Sequence, residues 1–230
     1  MTLDFAVLPF EPPPAATAAL RAEGWTVIVQ QIDGAGRSVD GATELVPPGA
    51  PAGEGRWAVV SSVDQVGEAV ALGHSLWLRG RSAGGCIGDA TTLVLIRAAQ
   101  QSGARWVAEG LGVRGTAAAL AVGATGMVLD GLLWRATDLR WTDEAQALLA
   151  RCRSPRDTVV VGELAGRPAR LLLADPRSRR RLDALDANEL MAELRATPAN
   201  PQPGVRETKL PWLPAPATAA LGPEAPLAEA

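Results

Sequence analysis

The feature that most constrains the fold of this chain is a run of three short apolar segments, each followed by a glycine-bearing loop. These segments are Leu76–Leu78, Arg105–Ala108 and Gly126–Leu129, and helical patterns at about Asp89–Gln101 and Gly115–Val122 separate them. Strand, glycine loop and helix in succession are typical of βα units in a parallel sheet. The loops at the carboxyl ends of such strands carry the ligand site, and glycine there lets backbone N–H groups approach a ligand closely.

Three further strands are predicted upstream. They are Leu3–Pro9, Trp25–Ile32 and Arg56–Ser61. A helix is predicted over Pro12–Ala22, and Ser62 is suited to cap another. The segment Asp33–Gly55 is rich in Gly, Pro and Ala with little periodicity, which predicts a loop or mobile insertion.

The strand count predicts an α/β fold, a TIM-barrel-like parallel (βα) barrel that is shortened or incomplete. About six βα strands are identified, whereas a closed eight-fold barrel usually takes about 250 residues. Two units are missing or collapsed into the 33–55 segment. The sheet is then either closed irregularly or left open with exposed edges, and an open edge needs a covering partner.

Three parts of the chain differ in composition. Residues 1–140 hold the predicted barrel-like domain, and residues 141–196 a predicted extension of helix, β-hairpin and helix. The hairpin strands are Thr158–Glu163 and Arg167–Leu173, on either side of a short turn. Residues 197–230 are rich in proline and alanine, which predicts a linker or disordered tail.

Composition argues against several classes of partner. The formal net charge is -3 and the pI about 5.3, which gives no reason to expect nucleic acid or an anionic membrane. No run of about eighteen apolar residues and no signal-peptide pattern is present. Cys86 and Cys152 do not make a disulfide framework, and no cluster of His, Cys and acidic residues has metal-ligand spacing. A cytoplasmic protein without a metal site is predicted.

Three glycine-rich segments carry a family resemblance. They read RGRSAGGCIG over Arg79–Gly88, EGLG over Glu109–Gly112 and GATGMVLD over Gly123–Asp130. The chain resembles the FMN-dependent nitronate monooxygenases (2-nitropropane dioxygenase-like) and related enoyl reductases. The likeness is strongest to the branch embedded in polyketide and polyunsaturated fatty acid synthases, where the patterns are KGxEAGGxxG, GGIG and GAxGVVLD. It is good over Val59–Leu133, fair over the hairpin and poor elsewhere.

The resemblance implies a TIM barrel with FMN as cofactor and a small or carrier-bound acyl substrate. The cofactor-binding positions that it implies are, in chain order, Gly84, Gly85, Gly88, Gly110, Gly112, Asp130 and Gly131. The first three line the isoalloxazine side of the flavin. The others belong to the loops after the last two strands, which hold the FMN phosphate.

Two positions depart from the family pattern. Cys86 stands where the monooxygenases have the histidine that takes the α-proton of the substrate. It is either catalytic, with Arg79 and Arg81 close enough in sequence to lower its pKa, or a small buried residue. Glu109 stands where the family has the first glycine of the phosphate loop. Asp130, which the synthase branch shares, adds a second carboxylate in the other phosphate loop. A carboxylate near a phosphate costs about 1–4 kcal/mol at effective dielectric constants of 80 to 20.

The sequence leaves two functions open. One is an FMN-binding oxidoreductase-like domain of nitronate monooxygenase type within a polyketide or lipid synthase system. The other is a barrel that has lost flavin and serves as a structural or docking module in a multi-enzyme assembly, with other synthase domains or a second copy as partner. The glycine loops favour the first, and Cys86, Glu109 and the shortened sheet favour the second.

Overall fold

A computed structural model describes residues 3–8, 12–31, 34–111, 113–130, 158–164 and 167–172. The helices in this part of the chain are α1 (Pro14–Ala22), α2 (Val63–Ala71), α3 (Thr92–Ser102) and α4 (Val113–Ala121). Its strands are β1 (Phe5–Leu8), β2 (Thr26–Gln30), β3 (Gly36–Ser38), β4 (Glu44–Val46), β5 (Arg56–Val60), β6 (Ser75–Arg79), β7 (Gly85–Cys86), β8 (Trp106–Glu109), β9 (Val128–Leu129), β10 (Thr158–Leu164) and β11 (Arg167–Leu172). The helices predicted in the C-terminal extension and the predicted tail lie outside the described residues.

Eight strands form one sheet in the order β8-β6-β5-β4-β3-β2-β1-β9. The β1–β2, β1–β9, β4–β5, β5–β6 and β6–β8 pairs are parallel, and only β3 runs antiparallel to its two neighbours. Helices follow β1, β5 and β8, and α3 follows β6 after the short β7. The predicted α/β barrel is therefore confirmed as a parallel-rich sheet nearly closed on itself.

The segment 33–55 corrects the predicted number of strands. It was expected to be a loop or mobile insertion, yet it supplies β3 and β4, which continue the sheet from β2 to β5. The turn between them is held by Asp40, whose carboxylate accepts hydrogen bonds from the Ser38 hydroxyl at 2.6 Å and the Ala42 N–H at 3.0 Å. Strands of three residues are too short to show a periodic pattern, so this segment has no strand signature in the sequence.

The two ends of the sheet meet at a seam between β8 and β9. Thr125, which precedes β9, donates its backbone N–H and its hydroxyl to the Trp106 C=O at 2.9 and 3.0 Å. The Thr125 C=O accepts from the Leu3 N–H at 3.1 Å, which ties the seam to β1. At the amino ends of these strands the barrel is thus closed by one residue rather than by a ladder.

Alternate strand residues face the barrel interior and the helices, as a curved sheet requires. In the interior, Phe5, Trp57 and Trp77 make edge-to-face ring contacts with centroids 5.1 to 6.4 Å apart. The layer between sheet and helices contains Leu76, Leu78, Leu95, Ile96, Ala99 and Trp106. The tryptophans at or near the strand starts, Trp25, Trp57, Trp77 and Trp106, are all buried in the core.

Charged residues cover the sheet where helices are missing. Leu45 and Trp57 point into the barrel, so their neighbours Glu44 and Arg56 lie on the outer face. Glu44 accepts from the Arg56 Nε at 2.9 Å and lies 3.6 Å from the Arg37 guanidinium across β3. The outer face around Arg37, Glu44 and Arg56 is thus in contact with solvent through its charges, whereas Ala58 and Val60, further along β5, pack against α2.

The C-terminal hairpin forms a second, three-stranded sheet with the loop after β6. Strands β10 and β11 pair antiparallel, which confirms the predicted hairpin, and β11 pairs antiparallel with β7. The sequence did not predict β7. No helix in the described part of the chain is long and apolar enough to span a membrane.

Candidate functional site

The carboxyl ends of β6, β8 and β9 lie together at one end of the barrel. Gly110 lies directly after β8, and Asp130 lies directly after β9. The Gly110 N–H donates to the Asp130 Oδ2 at 2.8 Å. Gly110 has a φ of +71°, and a Cβ placed on it would lie 2.6 Å from the Ala83 nitrogen in the loop after β6. The loops that contain Gly84, Gly110 and Asp130 therefore converge on one face, where ligands bind in parallel α/β folds.

Just below these loops, the barrel interior holds a buried polar cluster. The Arg79 Nε and the Glu109 Oε1 are 2.6 Å apart, and the two side chains are only 4% and 2% exposed. Glu109 also accepts from the Trp77 Nε1 at 2.5 Å and the Gln30 Nε2 at 3.3 Å. Gln30 in turn accepts from the Arg79 Nη2 at 2.6 Å. Burial in a low-dielectric interior makes this ion pair and its hydrogen bonds mutually dependent.

This cluster changes one expectation from the sequence. Glu109 is the last residue of β8 and points into the barrel, so its carboxylate is neutralised by Arg79 and does not oppose a phosphate on the loop. An effect of Arg79 on Cys86 stays a prediction. Arg81 is exposed at the loop surface.

One donor of the cluster has no partner. The Arg79 Nη1 is buried without a hydrogen bond in the described structure. It lies against Gly34, where a Cβ would be 2.5 Å from it. Gly34 therefore packs directly against the guanidinium, which a side chain at this position would force to shift.

The glycines after β6 are used mainly for close packing of one chain segment on another. A Cβ on Gly88 would lie 2.0 Å from the Ser61 carbonyl oxygen, and one on Gly80 would lie 2.4 Å from the Thr92 nitrogen. Gly85 has a φ of +68° and pairs with Arg170 of β11. Gly84 is half-buried in the same loop. Backbone contact between segments thus accounts for Gly80 and Gly88 without a ligand.

Cys86 lies in β7, opposite Ala169 of the hairpin, and only 2% of its surface is exposed. Its role as a catalytic residue stays a prediction. The implied phosphate-loop positions Gly112 and Gly131 lie outside the described residues.

No group of three metal-ligating side chains occurs in the described part of the chain. The single histidine, His74, is buried in the turn between α2 and β6, at the other end of the barrel from the converging loops. Its Nε2 lies 2.8 Å from the Ala50 carbonyl oxygen. His74 is therefore a structural residue that holds the 47–55 loop.

The fold and the converging loops define a barrel of the (βα) type with a ligand face at the carboxyl ends of its strands. No family model matches the sequence, and no curated protein matches it. Solved structures do match. FabK from Thermotoga maritima is similar with a TM-score of 0.62 and 22% identity, over 84% of this chain and 78% of that protein.

Two further structures share the fold over shorter lengths. A single-residue variant of the same FabK gives a TM-score of 0.51 and 26% identity, over 66% of this chain and 51% of its own. A nitroalkane oxidase from Streptomyces ansochromogenes gives 0.50 and 19%, over 64% and 49%. These likenesses establish a fold shared with TIM-barrel enzymes.

Proposed function

We propose that this chain is a flavin-binding, oxidoreductase-type barrel related to nitronate monooxygenases and FMN-dependent enoyl reductases. Two independent lines support the proposal. The sequence motifs resemble that family, and the fold matches FabK and a nitroalkane oxidase. The observation that carries the proposal is the meeting of the loops after β6, β8 and β9 at Gly110.

The residues at Gly110 fit an anionic group such as the phosphate of FMN. The N–H of Gly110 is directed at a carboxylate oxygen 2.8 Å away, and a phosphate oxygen accepts the same kind of charge-assisted hydrogen bond. In the described structure this N–H donates to Asp130, so a phosphate at Gly110 would have to take the place of the Asp130 carboxylate. Because Glu109 is neutralised inside the barrel, it adds no net negative charge to this loop.

Bound FMN would supply two-electron redox chemistry to a small or carrier-bound acyl substrate. Gly110 would hold the phosphate, and the contact of Gly110 with Ala83 keeps the β8 loop in register with the loop after β6. The Arg79–Glu109 pair fixes the carboxyl ends of β6 and β8 relative to each other beneath these loops. Gly84 and Gly85 would border the flavin ring. A place within a polyketide or lipid synthase system belongs to the same proposal.

The test is whether the protein binds flavin. The chain is expressed and purified without added flavin, its visible absorbance is recorded, and the apo form is titrated with FMN by flavin fluorescence. We expect saturable binding and a flavin spectrum on loading. Failure to bind FMN or riboflavin at any concentration that saturates FabK in parallel would reject the proposal.

One observation favours the alternative, a barrel without flavin that serves as a docking module. Cys86 occupies the family's histidine position and lies buried in the β7–β11 ladder, where a substrate proton is hard to reach. A colourless protein that binds no flavin and co-purifies with a synthase domain would establish this second function.

A further inference from the structure

The buried guanidinium of Arg79 lies at the ligand face of the barrel. Arg79 is the last residue of β6, and its two acceptors, Gln30 and Glu109, are the last residues of β2 and β8. These strands run in the same direction, because β3 is antiparallel to both β2 and β4, and β4, β5, β6 and β8 are parallel. The cluster therefore lies at the carboxyl end of the barrel, directly below the loops that converge at Gly110.

One donor of this guanidinium is left for a ligand. The Nε donates to Glu109 and the Nη2 to Gln30, each at 2.6 Å, whereas the Nη1 is buried with no hydrogen-bond partner in the described structure. A buried donor without an acceptor is costly, and arginine cannot lose its proton to avoid that cost. The Nη1 lies against Gly34, and a ligand oxygen that displaced Gly34 from this contact would cost the guanidinium no hydrogen bond.

The charge balance of the cluster determines which kind of oxygen fits at the Nη1. Glu109 neutralises Arg79, and the two side chains are buried together. An anion brought to the Nη1 would leave one negative charge in excess in this interior, and a buried charge without compensation is strongly unfavourable. A carbonyl oxygen accepts the same hydrogen bond and adds no charge. The cluster therefore favours a neutral acceptor.

We propose that Arg79 positions the substrate and determines its class, with the Nη1 as donor to the carbonyl oxygen of a neutral acyl compound such as a thioester. The Arg79–Glu109 pair then disfavours a nitronate anion at the same place. This inference rests on the proposed function, in which both an acyl compound and a nitronate are open as substrates. It assigns to Arg79 a contact with the ligand in addition to its part in the barrel.

The variant Arg79→Lys tests the inference, because lysine keeps a positive charge beside Glu109 and lacks the Nη1. The matched control is Arg97→Lys at an exposed position of α3. Flavin-loaded wild type and both variants are titrated by anaerobic calorimetry with three probes. These are S-crotonyl-N-acetylcysteamine, its thioether analogue without the carbonyl oxygen at sulfur, and propyl-1-nitronate.

We expect wild type and Arg97→Lys to bind the thioester about tenfold more tightly, or better, than the thioether or the nitronate. Arg79→Lys is expected to lose the preference for the thioester over the thioether. A role of Arg79 in the fold alone would weaken both probes equally, and that result would overturn the inference. A preference that survives in Arg79→Lys, or a wild type that binds no thioester or binds nitronate more tightly, would also overturn it. The comparison of thioester with nitronate in wild type needs no variant, so a poorly folded Arg79→Lys does not remove the test.

Flavin titration separates this inference from the proposed function. FMN and riboflavin are titrated into the same three proteins, and the three probes are also titrated into the apo forms. If no flavin binds but the apo wild type prefers the thioester and Arg79→Lys does not, the flavin proposal fails and the role of Arg79 stands. If flavin binds and the preference for the thioester is absent, the proposed function stands and the role of Arg79 fails. A loss of riboflavin affinity in Arg79→Lys with unchanged thioester binding would assign the Nη1 to the flavin ring and overturn the inference.

Discussion

Arg79 and Glu109 neutralise each other inside the barrel, with 2.6 Å between the Nε and Oε1 atoms and almost no solvent exposure. They end adjacent parallel strands and are register partners in the β6–β8 ladder. Two oppositely charged residues at matching positions of neighbouring strands necessarily lie side by side. Removal of one partner of such a buried pair strongly destabilises the fold, because the other charge is left buried without compensation. Replacement of both partners by uncharged residues costs much less.

We therefore expect Glu109→Gln to lower the free energy of unfolding by about 3–5 kcal/mol, because it leaves the Arg79 charge buried without compensation. The double variant Arg79→Met with Glu109→Gln is expected to recover most of that loss, since the glutamine still accepts from Trp77. Urea unfolding of the single and double variants measures both values. A Glu109→Gln variant as stable as wild type would contradict the buried pair.

We expect any side chain at position 88 to destabilise the protein. Gly88→Ala places a Cβ within 2.0 Å of the Ser61 carbonyl oxygen, so β5 and the loop after β6 must separate, at a cost of about 1–3 kcal/mol. The matched control is Gly67→Ala in α2, where no atom lies within 4 Å of the new Cβ. That substitution is expected to stabilise the protein by about 0.5–1 kcal/mol, because alanine favours a helix. Equal Tm shifts for the two variants would argue against the close contact.

His74 is expected to hold the 47–55 loop against the barrel. His74→Ala removes the hydrogen bond with the Ala50 carbonyl and leaves that acceptor unsatisfied, at a cost of about 1–3 kcal/mol. Limited proteolysis followed by mass spectrometry is expected to show faster cleavage within 47–55. Unchanged stability and an unchanged cleavage pattern would show that the loop is held by other contacts.

The β3–β4 turn is expected to weaken in acid. Hydrogen bonds from the Ser38 hydroxyl and then the Ala42 N–H lower the pKa of Asp40 below its ordinary value of 3.8. A carboxyl whose pKa is lower in the folded state stabilises the fold above its unfolded pKa, and this contribution is lost as the pH falls through the folded pKa. Asp40 is mostly exposed, so the effect is small and screened by salt. Comparison of Asp40→Asn with wild type by thermal unfolding should show a difference at pH 6 that shrinks as the pH falls below the ordinary pKa of 3.8.

Much of the fold could be predicted because it follows from local patterns. Alternation and glycine placement located β5, β6 and β8 to within a residue or two, and Ser62 caps α2 through the Gln65 N–H as its sequence context predicts. The strands that the sequence did not predict are those that form only through pairing with other strands. Strands β3 and β4 have three residues each, and β7 exists only because β11 pairs with it.

The polar cluster has a partial signal in the sequence. Two-residue alternation along β6 places Trp77 and Arg79 on the same face, and along β8 it places Val107 and Glu109 together. The two charges are partners only because β6 and β8 are neighbours, a pairing that the sequence of neither strand shows. The family motif instead assigns Glu109 to a loop, since it stands at a glycine position of the enzymes that the motif resembles.

The self-association expected for an incomplete barrel stays a prediction. It was expected from exposed sheet edges that need a covering partner, and the described structure gives that expectation less support. The sheet region without helices carries Arg37, Glu44 and Arg56 rather than an exposed apolar layer. Size-exclusion chromatography with light scattering measures the oligomeric state.

Two contacts close the seam between β8 and β9: Thr125 with Trp106 at the amino ends, and Gly110 with Asp130 at the carboxyl ends. They have a consequence for how the barrel opens. A closed barrel must unfold as a unit, whereas a sheet joined at Thr125 and Asp130 can open along one line while the ladders of β1 to β6 remain paired. Sub-global openings of this kind need less free energy than complete unfolding. Amide hydrogen exchange is therefore expected to proceed first along the β9 side of the seam, and any anion that displaced Asp130 from Gly110 would alter how often the barrel opens there.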